Sequence, residues 1–373
     1  MKKLICLVTS ITIVLGYSSI YAVKSANIAD VNSNTITLTL PKTITLEESL
    51  NNIEKVNPEI QILDKKIEIL NEQYEYDKYK SNLPDARTHT LDYDLQKNYN
   101  FKESLNNLNS AKSDKVEELK TIKNDLKKQY LNALCAKEDI DIINKSIENL
   151  DNKIKIQNSR INAGIATENS LENLKVEKSN FQSSLNQLNL QLQSELLTIK
   201  QYLNINMSQE IKLSDTKEDY IKFDDNNIDA RIKTAVEKNA EIIKQENNLN
   251  LLRDKTNIYT NYYSDYENQI RTFQINIGQA HTSINNLTLT TKINLWQSYY
   301  NLKNAEDTVN QEKINLENAD DDINTAKAKY EIGTMNKSDV DDTYVSLEQQ
   351  KSKLKRAINN YMIVSESFEN SLK

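Results

Sequence analysis

Turn-forming residues are scarce in this chain: 373 residues hold only 4 glycines and 3 prolines. Glycine is the least costly residue wherever φ must be positive, and proline presets many turns. A rounded domain of this length would reverse often and would need far more of both. Cysteine is as sparse. Of the two, Cys6 lies in the apolar N-terminal run, which leaves Cys135 alone and excludes an intrachain disulfide in the exported protein. A basic surplus is missing too. The formal net charge is -7, and loss of Lys2 and Lys3 takes it to -9, which argues against a nucleic-acid partner. No P-loop, G-x-G-x-x-G or H-E-x-x-H pattern occurs. His89 and His281 lack cysteines or clustered carboxylates at metal-ligand spacing. No enzyme chemistry, metal or cofactor is therefore expected.

Long apolar runs are absent as well. The longest, "LICLVTSITIVLG" over residues 4–16, falls short of the roughly 20 residues that a spanning helix needs. It follows Lys2 and Lys3 and precedes Ala22, the pattern of an export signal over residues 1–22. Residues 23–42 read as an extended polar segment.

What remains is helix-forming sequence rich in Asn, Lys, Asp, Ile and Leu. Thr45 with Glu48 three residues on is a capping-box start, and Pro84 ends the stretch that follows. From about residue 101 to 160 nothing stops a helix. Its apolar positions Ile122, Leu126, Ala133, Ile140, Ile143, Ile147, Leu150, Ile154 and Ile161 recur in steps of three, four and seven, the heptad pattern of a helix–helix seam. About 58 residues at ~1.5 Å each give a rod of roughly 87 Å. A second helix is expected over about 170–203, with Leu171, Leu174, Phe181, Leu185, Leu192 and Ile199 as its seam.

The second half echoes the first. Helix is expected over 229–255, then a polar stretch, then long helix over about 286–330 and a last helix over 337–372. Asn57 and Ile60 correspond to Asn239 and Ile242 at an offset of 182. At an offset of 169, Tyr130 corresponds to Tyr299, Ile154 to Ile323, Leu171 to Val340 and Leu203 to Leu372. Gly164 and Gly333 share that offset. A tandem duplication of one helical unit is the reading, with repeats over 43–205 and 226–373 joined by residues 206–225. Each glycine then marks a hairpin tip, where the residue just past a helix end takes the left-handed conformation.

Four kinds of stretch carry a resemblance to a known family. "ITLEESLNNIEKVNPEI" is similar to its opening helix. "RINAGIATENSLENL" and "KYEIGTMNKSDVDDT" resemble its two tip motifs. "QYLNAL" and "WQSYYNLKNA" resemble its long-helix tyrosine motifs. In that order and spacing, over nearly all of residues 43–372, they resemble the TolC-like outer-membrane efflux proteins, or channel-tunnels. The resemblance implies an all-α fold of long antiparallel coiled-coil hairpins, the protomer of an α-barrel. It implies a homotrimer acting as an export duct in the cell envelope, with an adaptor and an ABC or other pump. It places adaptor contact at the tips, Gly164, Ile165, Gly333 and Thr334. It sets Tyr330, Asp339 and Asp342 at the positions of a gating tyrosine and constriction aspartates, while Met335 stands where the family has a gating arginine.

The carboxylates have a simpler reading beside that one. Asp339, Asp341 and Asp342 open a helix, where negative charge complements exposed N–H groups. In a threefold assembly they would also form an acidic ring, which favours cations.

One feature departs from the family. A lipid-crossing barrel takes two strands per half, each of about 9–11 alternating residues. Residues 81–100 offer at most a loop, and residues 269–278, "QIRTFQINIG", alternate well enough for one short strand. The expectation is thus a variant with little or no β-barrel, exported to the extracytoplasmic surface or cell wall, its membrane contact undecided. Tyr74, Tyr76, Tyr79, Tyr259, Tyr262, Tyr263 and Tyr266 gather at that same end. Two function classes fit the pattern: a trimeric duct, or an envelope coiled-coil scaffold without transport. Val176, Leu190 and Leu197, off the main seam of their helix, favour lateral contacts and hence the duct.

Overall fold

A computed structural model describes residues 43–84, 90–216 and 219–373, all in one unit, Pro41–Lys373. Residues 1–22, expected to be an export signal, residues 23–42, expected to be extended, and His89 lie outside the described residues. In chain order the elements are β1 (Thr43–Ile44), α1 (Leu46–Val56), α2 (Pro58–Ser81), α3 (Leu91–Asn98), α4 (Asn100–Asn162), α5 (Glu168–Tyr202), β2 (Lys212–Leu213), α6 (Ile228–Glu237), α7 (Ala240–Thr260), α8 (Tyr263–Glu331) and α9 (Lys337–Ser371). The fold is all-α. Strand among the described residues is limited to β1 and β2, paired in parallel with Thr43 opposite Lys212.

The two long helices, α4 with 63 residues and α8 with 69, are each roughly 100 Å of rod at ~1.5 Å per residue. α4 packs on α5, α2 and α9; α8 packs on α9 and α7. Towards the tips the helices therefore follow the order α5, α4, α9, α8. Towards the other end the order is α2, α4, α7, α8, with α4 and α7 in lighter contact. α5 and α8, at opposite edges, do not pack on each other.

The core lies where the two helix orders meet. Leu126, Tyr130, Leu131 and Ala136 of α4 are buried there. The Tyr130 hydroxyl shares its proton between the carbonyls of Ile44 (2.8 Å) and Ser214 (2.7 Å), which ties both strands to α4. Burial pushes its pKa up to about 12. In the second half Tyr361 and Phe368 of α9 clamp the linker instead. The Phe223 N–H donates to the Tyr361 hydroxyl at 2.7 Å, and the Phe223 and Phe368 rings lie 5.4 Å apart.

Both halves begin with a broken helix, where one helix was expected in each. The breaks fall at Asn57 and Asn239. Each is an N-cap whose side-chain oxygen accepts from the next N–H groups, Glu59 and Ile60 or Glu241 and Ile242, at 3.0–3.2 Å. An amide oxygen that satisfies two orphan donors makes a new start favourable, and Pro58 reinforces the first. Asn57 does more: its Nδ2 donates to the Tyr202 carbonyl at 3.1 Å, joining the end of α5 to the start of α2.

Three other expectations are corrected. Residues 269–278 form helix rather than a strand, because α8 starts at Tyr263 and not near residue 286. Ile270, Phe273 and Ile284 are buried against α7 at helical spacing while Ile275 is exposed, so the apolar period there is 3.6 and not 2. Residues 91–98 form helix α3 rather than loop. The Thr90 hydroxyl caps it by accepting from the Tyr93 N–H at 3.3 Å, and Asp92 and Asp94 lie in its first turn. Helix thus occupies residues 91–98 and 269–278 of the stretches where barrel strands were sought, and the connections left between α2 and α3 and between α7 and α8 are residues 82–90 and 261–262. Neither has room for two strands of about 9–11 residues.

Candidate functional site

Each long helix ends in the same backbone lock. Gly164 has φ +74° and Gly333 has φ +72°. The Gly164 N–H donates to the Ile161 carbonyl at 2.9 Å and the Ile165 N–H to the Arg160 carbonyl at 3.0 Å. In the second tip the Gly333 N–H donates to the Tyr330 carbonyl and the Thr334 N–H to the Lys329 carbonyl, both at 2.9 Å. This is the Schellman arrangement, which satisfies carbonyls that a helix end would leave bare. The residues that follow differ. Thr167 opens α5 without a side-chain cap, whereas the Asn336 Oδ1 accepts from the Asp339 N–H at 3.0 Å and its Nδ2 donates to the Asp339 carboxylate at 2.7 Å.

The tips are exposed and partly apolar. Ile165 is 67% and Ile332 74% accessible. Tyr330 is exposed. Asp339 is exposed and engaged in its helix cap. Asp342 is half-buried and forms an ion pair with Lys153 of α4, so it lies where the two hairpins meet, one turn along α9 from Asp339. Sequence reasoning missed Lys153, because nothing local marks which lysine of a long polar helix will face another helix. A cleft of about 360 Å³ adjoins, lined by Asp322, Lys329, Met335 and Asp342 among others.

The Lys153–Asp342 pair opens a polar seam between the halves. Asp139 accepts from the Ser352 hydroxyl at 2.6 Å and pairs with Arg356; Glu138 pairs with Lys355, and Lys127 with Glu366 at 2.8 Å. Towards the other end Lys244 meets Asp114 at 3.1 Å and Lys102 meets Asp254 at 2.7 Å. Within each hairpin, by contrast, the seam is mainly apolar. The cost of desolvating half-buried charges offsets much of their attraction, so these pairs add little net stability. Cys135 is buried in this seam, its sulfur accepting from Asn359 at 3.5 Å, and burial raises its pKa.

At the far end Tyr259 stacks edge-on against Tyr266 and Phe273, the Tyr262 hydroxyl donates to Asp94 at 2.9 Å, and Lys255 lies over the Tyr99 ring. His281 contacts Arg253 at 2.6 Å; a guanidinium can only donate, so the imidazole Nε2 accepts. Among the described residues no helix is long and apolar enough to cross a membrane, and no group of His, Cys, Asp and Glu is set to hold a metal ion.

Long antiparallel hairpins, packed in a row and reversed by paired tip glycines, make up the fold. Solved structures have the same fold. The chain is similar to the outer-membrane channel OprN (10% identity, TM-score 0.69, covering 88% of this chain and 89% of that one). It is similar to CusC, a protein that forms a transmembrane channel (10%, 0.68, 88% and 91%). It is similar to the Campylobacter jejuni outer-membrane channel CmeC (12%, 0.63, 88% and 85%). The chain thus has a TolC-like fold, and at such low identity the likeness is one of fold. No protein-family model and no curated protein matches the sequence.

Proposed function

We propose that this protein is an export duct component of the bacterial cell envelope, assembled from several copies, three by analogy of fold, and working with an adaptor and a pump. One observation carries the reading. The edge helices α2, α5 and α8 each present exposed, heptad-spaced apolar residues on the side away from their packed seam: Ile62 and Ile69, Leu190 and Leu197, and Ile293 and Tyr300. A solitary bundle has no use for a second apolar stripe on its outermost helices, whereas the wall of a duct needs one on each flank. The fold of outer-membrane channels supports the same reading.

In this reading the exposed apices, Gly164 with Ile165 and Gly333 with Thr334, meet the adaptor. Tyr330, Asp339 and Asp342 line the narrow inner end, with the Lys153–Asp342 pair holding the second hairpin against the first. The chain works outside the cytoplasm after export. The two halves, over 43–205 and 226–373, are two copies of one ancestral unit. Sedimentation of the mature protein at micromolar concentration tests the assembly. A ring of defined mass is expected; a strict monomer would remove the duct and leave an envelope scaffold.

A further inference from the structure

The two halves differ where the end of one helix meets the start of another. In the first half that joint is closed. Asn57 is buried, and its Nδ2 donates to the carbonyl of the half-buried Tyr202 at the end of α5. At the offsets that relate the halves, 182 and 169, Asn57 corresponds to Asn239 and Tyr202 to Ser371. Ser371 is exposed, and its hydroxyl donates back to the Phe368 carbonyl at 2.7 Å rather than across the joint. The second joint thus lacks both the tyrosine ring and the tie. A cleft of about 780 Å³ lies there, lined by Asn239 and Ser371 and walled by α4 and α8.

The lining is of two kinds. Ala235 and Leu295 are buried and, with Val116, give the cleft an apolar part. Lys112, Lys120 and Lys238 line it as well, together with Glu117 and Glu241. Both carboxylates are engaged: Glu117 with Lys120 at 2.8 Å, and Glu241 with Lys244 at 3.4 Å and the Gln245 amide at 2.7 Å. Lys112 and Lys238 have no carboxylate partner among the described residues. The chain holds 54 acidic and 47 basic residues, so carboxylates are in surplus and two lysines left over in one cleft are not the default. Sites for small molecules combine apolar area with a few polar groups that fix orientation. In this cleft the charged groups left over for that task are cations.

We propose that the cleft binds a small organic anion, its apolar body against Leu295 and Ala235 and its carboxylate, sulfonate or phosphate facing Lys112 and Lys238. The proposal goes beyond the duct reading and does not depend on it, because every group it uses belongs to one copy of the chain.

Two fluorescent probes of one shape test it on the full chain: anilinonaphthalene sulfonate, an anion, and phenylnaphthylamine, the same body without the sulfonate. The sulfonate is expected to bind saturably, and more weakly as salt rises. The double variant Lys112→Gln with Lys238→Gln should weaken it about tenfold, the effect of two exposed charges, and leave the uncharged probe as it was. Ser371→Tyr, which gives the second joint the tyrosine of the first, should displace the sulfonate. Sulfonate binding unchanged by the lysine substitutions would overturn the anion, and binding unchanged by Ser371→Tyr would put the probe outside the cleft; either result ends the proposal, as would the absence of saturable binding. All three substituted positions are exposed, and helix content measured by circular dichroism separates misfolding from lost binding.

Discussion

The two tip glycines permit a calculation whose terms separate cleanly. Substitution by alanine normally mixes backbone strain with steric clash. Here a Cβ at either Gly164 or Gly333 would meet nothing within 4 Å, so the clash vanishes. The lock's hydrogen bonds are all backbone and survive. What remains is the left-handed backbone, φ +74° and +72°, which costs an L-residue about 1–2 kcal/mol. Alanine also lowers the entropy of the unfolded chain, an offset of about 0.4–1 kcal/mol. Each Gly→Ala change should therefore cost on the order of 1 kcal/mol, nearly the same at both sites. Gly→Asn should cost less, because asparagine tolerates the left-handed region. Hydrogen exchange at the Ile165 and Thr334 amides, the donors of the longer-range bonds, measures the local opening, and guanidinium melts measure the whole chain. A loss above about 3 kcal/mol at one tip would show that its glycine is packed against something and refute the reasoning. No loss, with alanine and asparagine indistinguishable, would refute the left-handed geometry.

Three further outcomes are expected. Asp139→Ala removes the partner of Ser352 and Arg356 in the seam and should cost about 1–3 kcal/mol; a double-mutant cycle with Arg356→Met should recover a coupling that shrinks in high salt. Asn57→Ala should destabilise more than Asn239→Ala, since both lose a cap of about 1 kcal/mol while Asn57 alone also loses the bond to Tyr202; urea midpoints compare them. Glu195 is buried, its Oε2 has no partner, and burial raises its pKa above 4.5 despite the Gln191 hydrogen bond. The folded state then holds that proton more tightly than the unfolded state, so this group's contribution is present at low pH and lost as pH rises through the folded value. Glu195→Gln should raise the melting temperature at pH 7, and its advantage should fade as pH drops toward about 4.5.

Much of this was legible in the residues. Scarce glycine and proline with heptad spacing gave long helices, and α4, α5 and α9 begin and end within two or so residues of expectation. Their signals are local: a seam repeats every few residues, and a tip glycine needs only its own neighbours. The reading failed at residues 91–98 and 269–278. Both are short windows in which a polar cap or an imperfect alternation imitates another element, and only packing against α7 fixes the period of the second. At the candidate site, the sequence located both tips and the acidic start of α9. It did not pair Asp342 with Lys153.

The chain's own order of residues thus determined where it turns, how far it runs between turns, and which side of each helix is apolar, because these follow from backbone preference and side-chain spacing. Tertiary structure alone decided which helices stand beside α4, which charges meet across the halves, and that α2 and α5 on one flank and α8 on the other are left as open edges. Those outcomes depend on the relative height and rotation of rods separated by hundreds of residues, quantities that no local pattern encodes.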